Sequence, residues 1–537
     1  MSKTYPPLDL HYSQFQESVF EKFKDSVPEV LTFKQSKPKT KKELCFPKQF
    51  EYQLPQLFCK EFINPLTPYK SLLLFHKIGS GKTCAAIQIA EQWKDKRRVI
   101  LATPASLKSN LYKEFRSECT GETYATKEER NTLKTLNPKS KEYQNLVRII
   151  NRRIDDVYHI YSHNKLISLL ASNEINLNDS LLIIDEVQNI VSDTGSSYKT
   201  MKEAITRSPD SLRVVLLTAT PIMDKPNELG LTMNLLKPLK EFPVGKEFDT
   251  IFISSNDYKI QNKDILLDYL NGYVSYYQGA PDKVFPLSNF RLVKVKMSNF
   301  QYSAYNEIKL EEQRTKVFKD NFFMKSRLAS NIIANSPFTH NEVSQYSCKM
   351  ARLLTKLKNA RGTVFIYSNF KDYGGIRSIM TLLEQHGYKN FDKEGEGYKR
   401  FAIWSGDETS TYKDKILNIF NNKNNHMGTK IKILLGSPSI KEGVSLLRVR
   451  QVHILEPHWN MSRIQQIIGR AIRFCSHKDV KVNRRIVKVF LYLAVLPKSV
   501  KMQSIDEYIL EMANKKEFIV GQFESILKES AIDRLLY

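Results

Sequence analysis

The chain has 537 residues, too many for one ordinary core, so two to four domains are expected. Hydrophobic residues make up 41% and aromatics 11%, enough for packed globular domains. Lysine and arginine outnumber aspartate and glutamate by 82 to 57, a net charge of +25. That excess favours a polyanion, most simply nucleic acid, over the bland reading of solubility charge in a Lys/Asn-rich composition.

No apolar run reaches transmembrane length, and the polar amino terminus lacks the form of a signal peptide. No membrane partner is expected. Six cysteines (Cys45, Cys59, Cys84, Cys119, Cys348 and Cys475) are scattered without a C-x-x-C pair. Their spacing argues against a disulfide framework and a structural zinc site, and for a reducing, intracellular compartment.

Residues 1–50 read as a basic amino-terminal arm, with KQSKPKTKKE as a linker or flexible stretch. Over 51–240, short apolar runs alternate with helical patterns: SLLLF, RVILAT, VYHIYS, SLLIIDE and LRVVLLTAT. Each is of strand length and ends in small or polar residues, the pattern of a parallel sheet in an α/β domain. In such a sheet functional groups collect at the carboxyl ends of the strands. Residues 241–340 are less regular and read as an insertion or bridging region. A second α/β series fills 341–500, with GTVFIYS, RFAIWSG, KIKILLGS, VRQVHILE and IVKVFLYLA. Residues 501–537 form a helical tail, where Ser504 and Glu507 have capping-box spacing.

SLLLFHKIGSGKT (71–83) is an apolar strand, a glycine-bearing loop and Gly-Lys-Thr at a helix start. Backbone amides of His76, Lys77, Ile78, Gly79, Ser80 and Gly81, with the helix N-terminus, can cradle the phosphates of a nucleotide. Lys82 supplies a point charge, and the Thr83 hydroxyl can hold Mg²⁺. His76 stands where G-x-x-x-x-G-K-[ST] has its first glycine, while Gly79 and Gly81 keep the turn feasible. A chance G-x-G-K-T is disfavoured by the strand before it and the helical CAAIQIAEQW after it.

SLLIIDEVQNI (180–190) sets Asp185 and Glu186 at the end of a buried strand. Asp185 can hold Mg²⁺ through water, and Glu186 can polarise the attacking water as general base. Alone, the pair could equally cap a helix. LLTATPIMDKPNEL (216–229) places Thr218 and Thr220 at another strand end, to sense the nucleotide or to serve as turn chemistry.

EPHWNMSRIQQIIGRAIRFCSH (456–477) reads as a helix with Arg463, Gln466, Arg470 and Arg473 on one narrow face. Ile464, Ile467, Ile468, Ala471 and Ile472 take the other side, and Gly469 lies beside the basic face. The face is either solvated or aimed at a phosphate.

The order GSGKT, ATPASLKSN, DEVQ, TATP, GSPSIKEGVS and QIIGRAIR resembles superfamily 2 helicases and translocases of DExH type. VILATPASLKSNLYKEF leans toward the Swi/Snf-like branch. GYVSYYQGAPDKVFP, VFIYSNFKDYGGI and SIDEYILEMANKK are similar to helicases of large cytoplasmic DNA viruses, the group of poxvirus nucleoside triphosphatase I and the early transcription factor small subunit. The likeness covers about residues 50–537. It implies two tandem RecA-like domains and an ATP hydrolase that uses ATP and Mg²⁺ and is stimulated by nucleic acid, DNA favoured over RNA.

By the same resemblance Lys82, Glu186, Gln466, Arg470 and Arg473 are catalytic, the arginines stabilising charge on the transferred phosphoryl group. Gly443 in KEGVS approaches ATP. Gln56 in EYQLPQLF is a candidate adenine reader, with Gln53 also available. Thr103, Pro104, Ser106 and Lys108, Ser368 and Asn369, and Ser437 and Ser439 are candidate phosphate-backbone contacts. RNA polymerase or transcription-factor subunits are implied partners, and the virion and host cytoplasm the implied location. The competing readings are an ATPase subunit acting through polymerase without unwinding, and a degenerate scaffold that binds nucleic acid without turnover. The complete set of motif residues disfavours the scaffold. An unrelated P-loop kinase would leave the second half unexplained.

Overall fold

The computed structural model describes residues 5–24, 40–77, 79–254, 258–314, 323–333, 342–441 and 444–536. Ile78 and Gly443 fall outside these residues, as does most of KQSKPKTKKE. The chain forms two compact units, residues 1–280 with 518–537, and residues 281–517.

In the first unit six parallel strands lie in the order β3-β2-β4-β5-β1-β6. They are β1 (Ser71–His76), β2 (Arg98–Thr103), β3 (Tyr158–Ser162), β4 (Ser180–Asp185), β5 (Arg213–Thr218) and β6 (Val274–Tyr277). β1 is buried along its whole length. Leu72 and Leu74 enter one core and Leu73 and Phe75 the other, so alternation feeds two apolar layers. β5 lies between β1 and β4, which brings the ends of all three strands together.

The second unit repeats the design with seven strands in the order β7-β13-β12-β8-β11-β10-β9, every pair parallel. These are β7 (Leu287–Lys296), β8 (Thr363–Tyr367), β9 (Lys389–Asn390), β10 (Arg400–Trp404), β11 (Ile433–Gly436), β12 (Val449–Ile454) and β13 (Ile486–Val495). Two RecA-like α/β sheets, as the sequence predicts, are therefore present.

Several boundaries differ from the sequence reading. The amino-terminal arm is partly packed: α1 (Tyr12–Phe23) buries Phe15, Val19 and Phe23 at i, i+4, i+8 spacing. The described residues of 241–340 divide between the two units at residue 280. Their first part adds β6 to the first sheet and their second part adds β7 to the other. The tail also divides, because residues 518–537 belong to the first unit. Cys84 and Cys119 form a disulfide with a Cα–Cα distance of 5.8 Å, contrary to the expectation of unpaired thiols. The two residues are 35 apart in sequence, so only folding shows that they meet.

Candidate nucleotide and nucleic-acid sites

The phosphate loop leaves β1 and enters α3 (Lys82–Trp93), a helix that starts at Lys82 as predicted; α2 (Leu54–Phe62) packs beside it. Gly79 and Gly81 have φ of 83° and 73°, the left-handed region where a side chain is strained. A Cβ on Gly81 would stand 2.4 Å from the Gln56 amide nitrogen. Gln56 donates from Nε2 to the Gly81 carbonyl (3.2 Å) and accepts from the Gln53 backbone amide (2.8 Å). It thus touches the loop while closing a capping box with Gln53 at the start of α2.

Two predicted loop residues point elsewhere. His76 is fully buried, its Nε2 2.8 Å from the Ser275 hydroxyl, and burial with the nearby Lys82 charge lowers its pKa to about 3. It is a neutral imidazole beneath the loop. Lys77 turns its ammonium to Glu524 at 2.9 Å and over the Phe75 ring. Ser80 is buried, and its hydroxyl has no hydrogen-bond partner among the described residues. That orphaned hydroxyl, the two left-handed glycines and the cradle that a Cβ would fill suit a phosphate chain.

Asp185 ends β4. Burial, then the Glu186 charge, raises its pKa, and Lys82 opposes the shift. A carboxylate held near neutrality by desolvation is ready to receive a cation. Glu186 has φ of 51°, a left-handed backbone turn directly after the strand.

The sequence missed a relay that starts here. Gln188 donates to Glu186 Oε2 (2.5 Å), and the Thr218 hydroxyl donates to Gln188 Oε1 (2.7 Å). The Thr220 backbone amide in turn donates to the Thr218 hydroxyl (3.0 Å). Gln188 stands in DEVQ, but only the adjacency of β4 and β5 reveals its bond to TATP.

In the second unit, α4 (Met461–Ala471) buries Ile464, Ile467 and Ala471 and leaves Gln466 and Arg470 half-buried. The helix ends at Ala471, because Ile472 departs from helical angles (φ −101°, ψ 85°). Arg473 is therefore not on the helical face that the sequence suggests. Its guanidinium donates to the Val444 carbonyl (3.1 Å) and to the Ser445 hydroxyl, beside KEGVS.

The strand-end segments divide by exposure. Ser106 and Ser439 are exposed, and Lys108 and Asn369 are half-buried. Thr103, Pro104, Ser368 and Ser437 are buried. Ser368 donates to Glu456 (3.0 Å), and the Asn369 amide donates to the same carboxylate. Glu456, at the end of β12, is a second residue the sequence did not single out. Burial raises its pKa, and its bonds fix the loop after β8.

Two family matches fit this arrangement: the DEAD/DEAH box helicase domain over residues 58–229 and the helicase conserved C-terminal domain over residues 348–475. A protein of Acanthamoeba polyphaga mimivirus, named as an ATP-dependent RNA helicase (R563), is 48% identical over 98% of this chain and 95% of its own length. The chain belongs to the DEAD/DEAH-box helicases. A protein of invertebrate iridescent virus 3 named as a helicase (087L) is 27% identical over 90% of this chain and 53% of its own. A termination factor NPH-I homolog of African swine fever virus is 26% identical over 86% and 76%. The Hef helicase domain of Pyrococcus furiosus aligns with 84% of this chain and 95% of its own at 14% identity and a TM-score of 0.39; the fold assignment rests on the sheets.

As a helicase of this family the chain is an ATP hydrolase that works on nucleic acid. Among the described residues, no helix is long and apolar enough to cross a membrane.

Proposed function

We propose that this helicase couples ATP hydrolysis to movement along nucleic acid during viral transcription. The observation that carries the reading is the meeting of phosphate loop, Asp185–Glu186 pair and Thr218–Gln188–Glu186 relay at three adjacent strand ends. The viral relatives, one of them named as a termination factor, support the setting.

In this reading Lys82 and the loop amides hold the β- and γ-phosphates. Thr83 and Asp185 hold Mg²⁺, which when bound neutralises charge developing on the phosphates. Glu186 orients the attacking water and takes its proton, and the Gln188 amide fixes the Glu186 carboxylate for that transfer. Gln466, Arg470 and Arg473 serve the γ-phosphate, and Gln56 reads the base. Ser106, Lys108, Asn369 and Ser439 contact the phosphate backbone without reading bases. The virion and host cytoplasm are the proposed locations, and polymerase subunits the proposed protein partners.

DNA is the polymer the sequence resemblance favours, whereas R563 is named as an RNA helicase. The deciding experiment measures ATPase rate with single-stranded DNA, duplex DNA and RNA in parallel, together with strand displacement. Stimulation by one polymer identifies the track. Stimulation without displacement supports the alternative suggested by the termination-factor relative, an ATPase that acts through polymerase contacts. No stimulation by any polymer sinks both.

A further inference from the structure

The phosphate loop begins at His76 and Lys77, and each makes a bond to the last residues of the chain or to a residue they hold. Lys77 pairs with Glu524 at 2.9 Å, with both side chains largely shielded from water. His76 reaches Asp533 through a hub, the fully buried hydroxyl of Ser275 on β6. Asp533 is itself fully buried and also accepts from the Tyr276 backbone amide at 3.0 Å.

The protons of the hub can be assigned. Ser275 has one hydroxyl proton, and it goes to Asp533 Oδ2. His76 Nε2, at 2.8 Å, must therefore donate to the Ser275 oxygen, and the Cys59 thiol at 3.4 Å supplies the remaining donor. The hydroxyl is then saturated, with one bond given and two accepted. Cys59, His76 and Asp533 also have metal-ligand chemistry and lie within 4.8 Å of one another. The hydroxyl that bonds all three occupies the point where they converge, so the group reads as a hydrogen-bonded hub.

Packing holds the same segment in place. Phe523, Ile526 and Leu527 enter one core of the first unit, and Ile532 and Leu536 enter the other. The Ile532 amide donates to the Val274 carbonyl on β6 (2.8 Å), and Gln16 of α1 donates to the Glu529 and Ala531 carbonyls (2.7 and 2.9 Å). The tail is thus a fixed support from which two acidic side chains reach the start of the loop.

We propose that Asp533 and Glu524 are positioning residues that hold the phosphate loop in its nucleotide-binding shape, Asp533 through Ser275 and His76, Glu524 through Lys77. The physical basis is preorganisation. A loop already fixed at its first two residues loses less conformational freedom when it closes on phosphates. The proposal rests on the phosphate-loop reading above.

The test uses the full chain and reads KM for ATP, kcat at saturating ATP, and the thermal midpoint. Asp533→Asn and Glu524→Gln keep side-chain size and remove charge. Each is expected to raise KM about tenfold while kcat stays within about twofold. Phe523→Leu, which loosens the same tail by packing alone, is expected to lower the midpoint with KM unchanged. The double variant Ser275→Ala with Asp533→Asn is expected to be no worse in KM than Ser275→Ala alone, because the hub is already gone.

The proposal is overturned if KM follows the thermal midpoint in all variants alike, or if Asp533→Asn and Glu524→Gln leave KM unchanged. Glu524 is partly accessible, so its variant remains informative if Asp533→Asn does not fold. Lys82→Ala separates the two levels. Lost turnover there with normal KM in the tail variants removes only the tail proposal, whereas unaltered turnover in Lys82→Ala removes the phosphate-loop reading itself.

Discussion

Asp185, the proposed Mg²⁺ ligand at the end of β4, is a carboxyl that burial makes costly to ionise. Its pKa is pushed up from 3.8 to about 7, first by burial and then by Glu186. A raised pKa means the folded protein prefers the protonated form. The stabilising contribution is complete below about pH 4 and is lost as pH rises through about 7. Asp185→Asn keeps the neutral shape, so without nucleotide it should melt above wild type at pH 8 and close to it at pH 4. Equal melting temperatures at both pH values would contradict this. At the neighbouring position, Glu186→Gln should abolish turnover and retain ATP binding. Gln188→Ala should cut kcat about tenfold with little change in KM, since it frees the Glu186 carboxylate without touching the loop. The carboxylates were legible in DEVQ, while the role of Gln188 was not, because a glutamine has no local signature until its neighbours are known.

At the scale of elements, the loop between β1 and α3 and the end of α4 carry the sharpest constraints. Gly81→Ala meets two obstacles, a left-handed φ of 73° and the Gln56 amide at 2.4 Å. Gly121 shares the first obstacle, with φ of 60°, but has open space around it. Both alanine variants should lose about 1 kcal/mol of stability from backbone strain. Only Gly81→Ala should lose ATP binding, by more than about tenfold on titration calorimetry, because only there does the new Cβ displace the Gln56 amide that bonds the loop carbonyl. Arg473 lies past the end of α4, where it ties to Val444 and Ser445. Arg473→Ala should impair turnover more than ATP affinity; lost affinity with unchanged turnover would exclude its assigned role. The hydrophobic period located α4 correctly and overran its end, since the period does not record where the backbone leaves helical angles, here at Ile472.

For the molecule as a whole, the net charge of +25 favours nucleic-acid binding dominated by the phosphate backbone, in line with the proposed strand-end contacts. Raising salt from about 50 to about 200 mM should weaken single-strand binding on the order of a hundredfold if about five phosphates are engaged. A flat salt response would place the affinity elsewhere. Ten of the thirteen strands among the described residues coincide with apolar runs visible in the sequence, and the missing ones have physical reasons. β6 has only four residues, and β9 only two. β7, at the sheet edge, is exposed or half-buried throughout, so its alternation carries no apolar signal.

Two parallel-sheet domains, the phosphate loop, the Asp185–Glu186 pair and the arginine-bearing helix are legible in the residues alone, because each is written in local period, composition and spacing. Tertiary structure decided which strand ends meet, that Thr103, Ser368 and Ser437 are buried, that Cys84 finds Cys119, and that residues 518–537 return to the first unit. His76 and Ser275 lie 199 residues apart, and Ser275 and Asp533 lie 258 apart. Contacts at that separation are fixed by the packing of whole layers, and local periodicity does not record them.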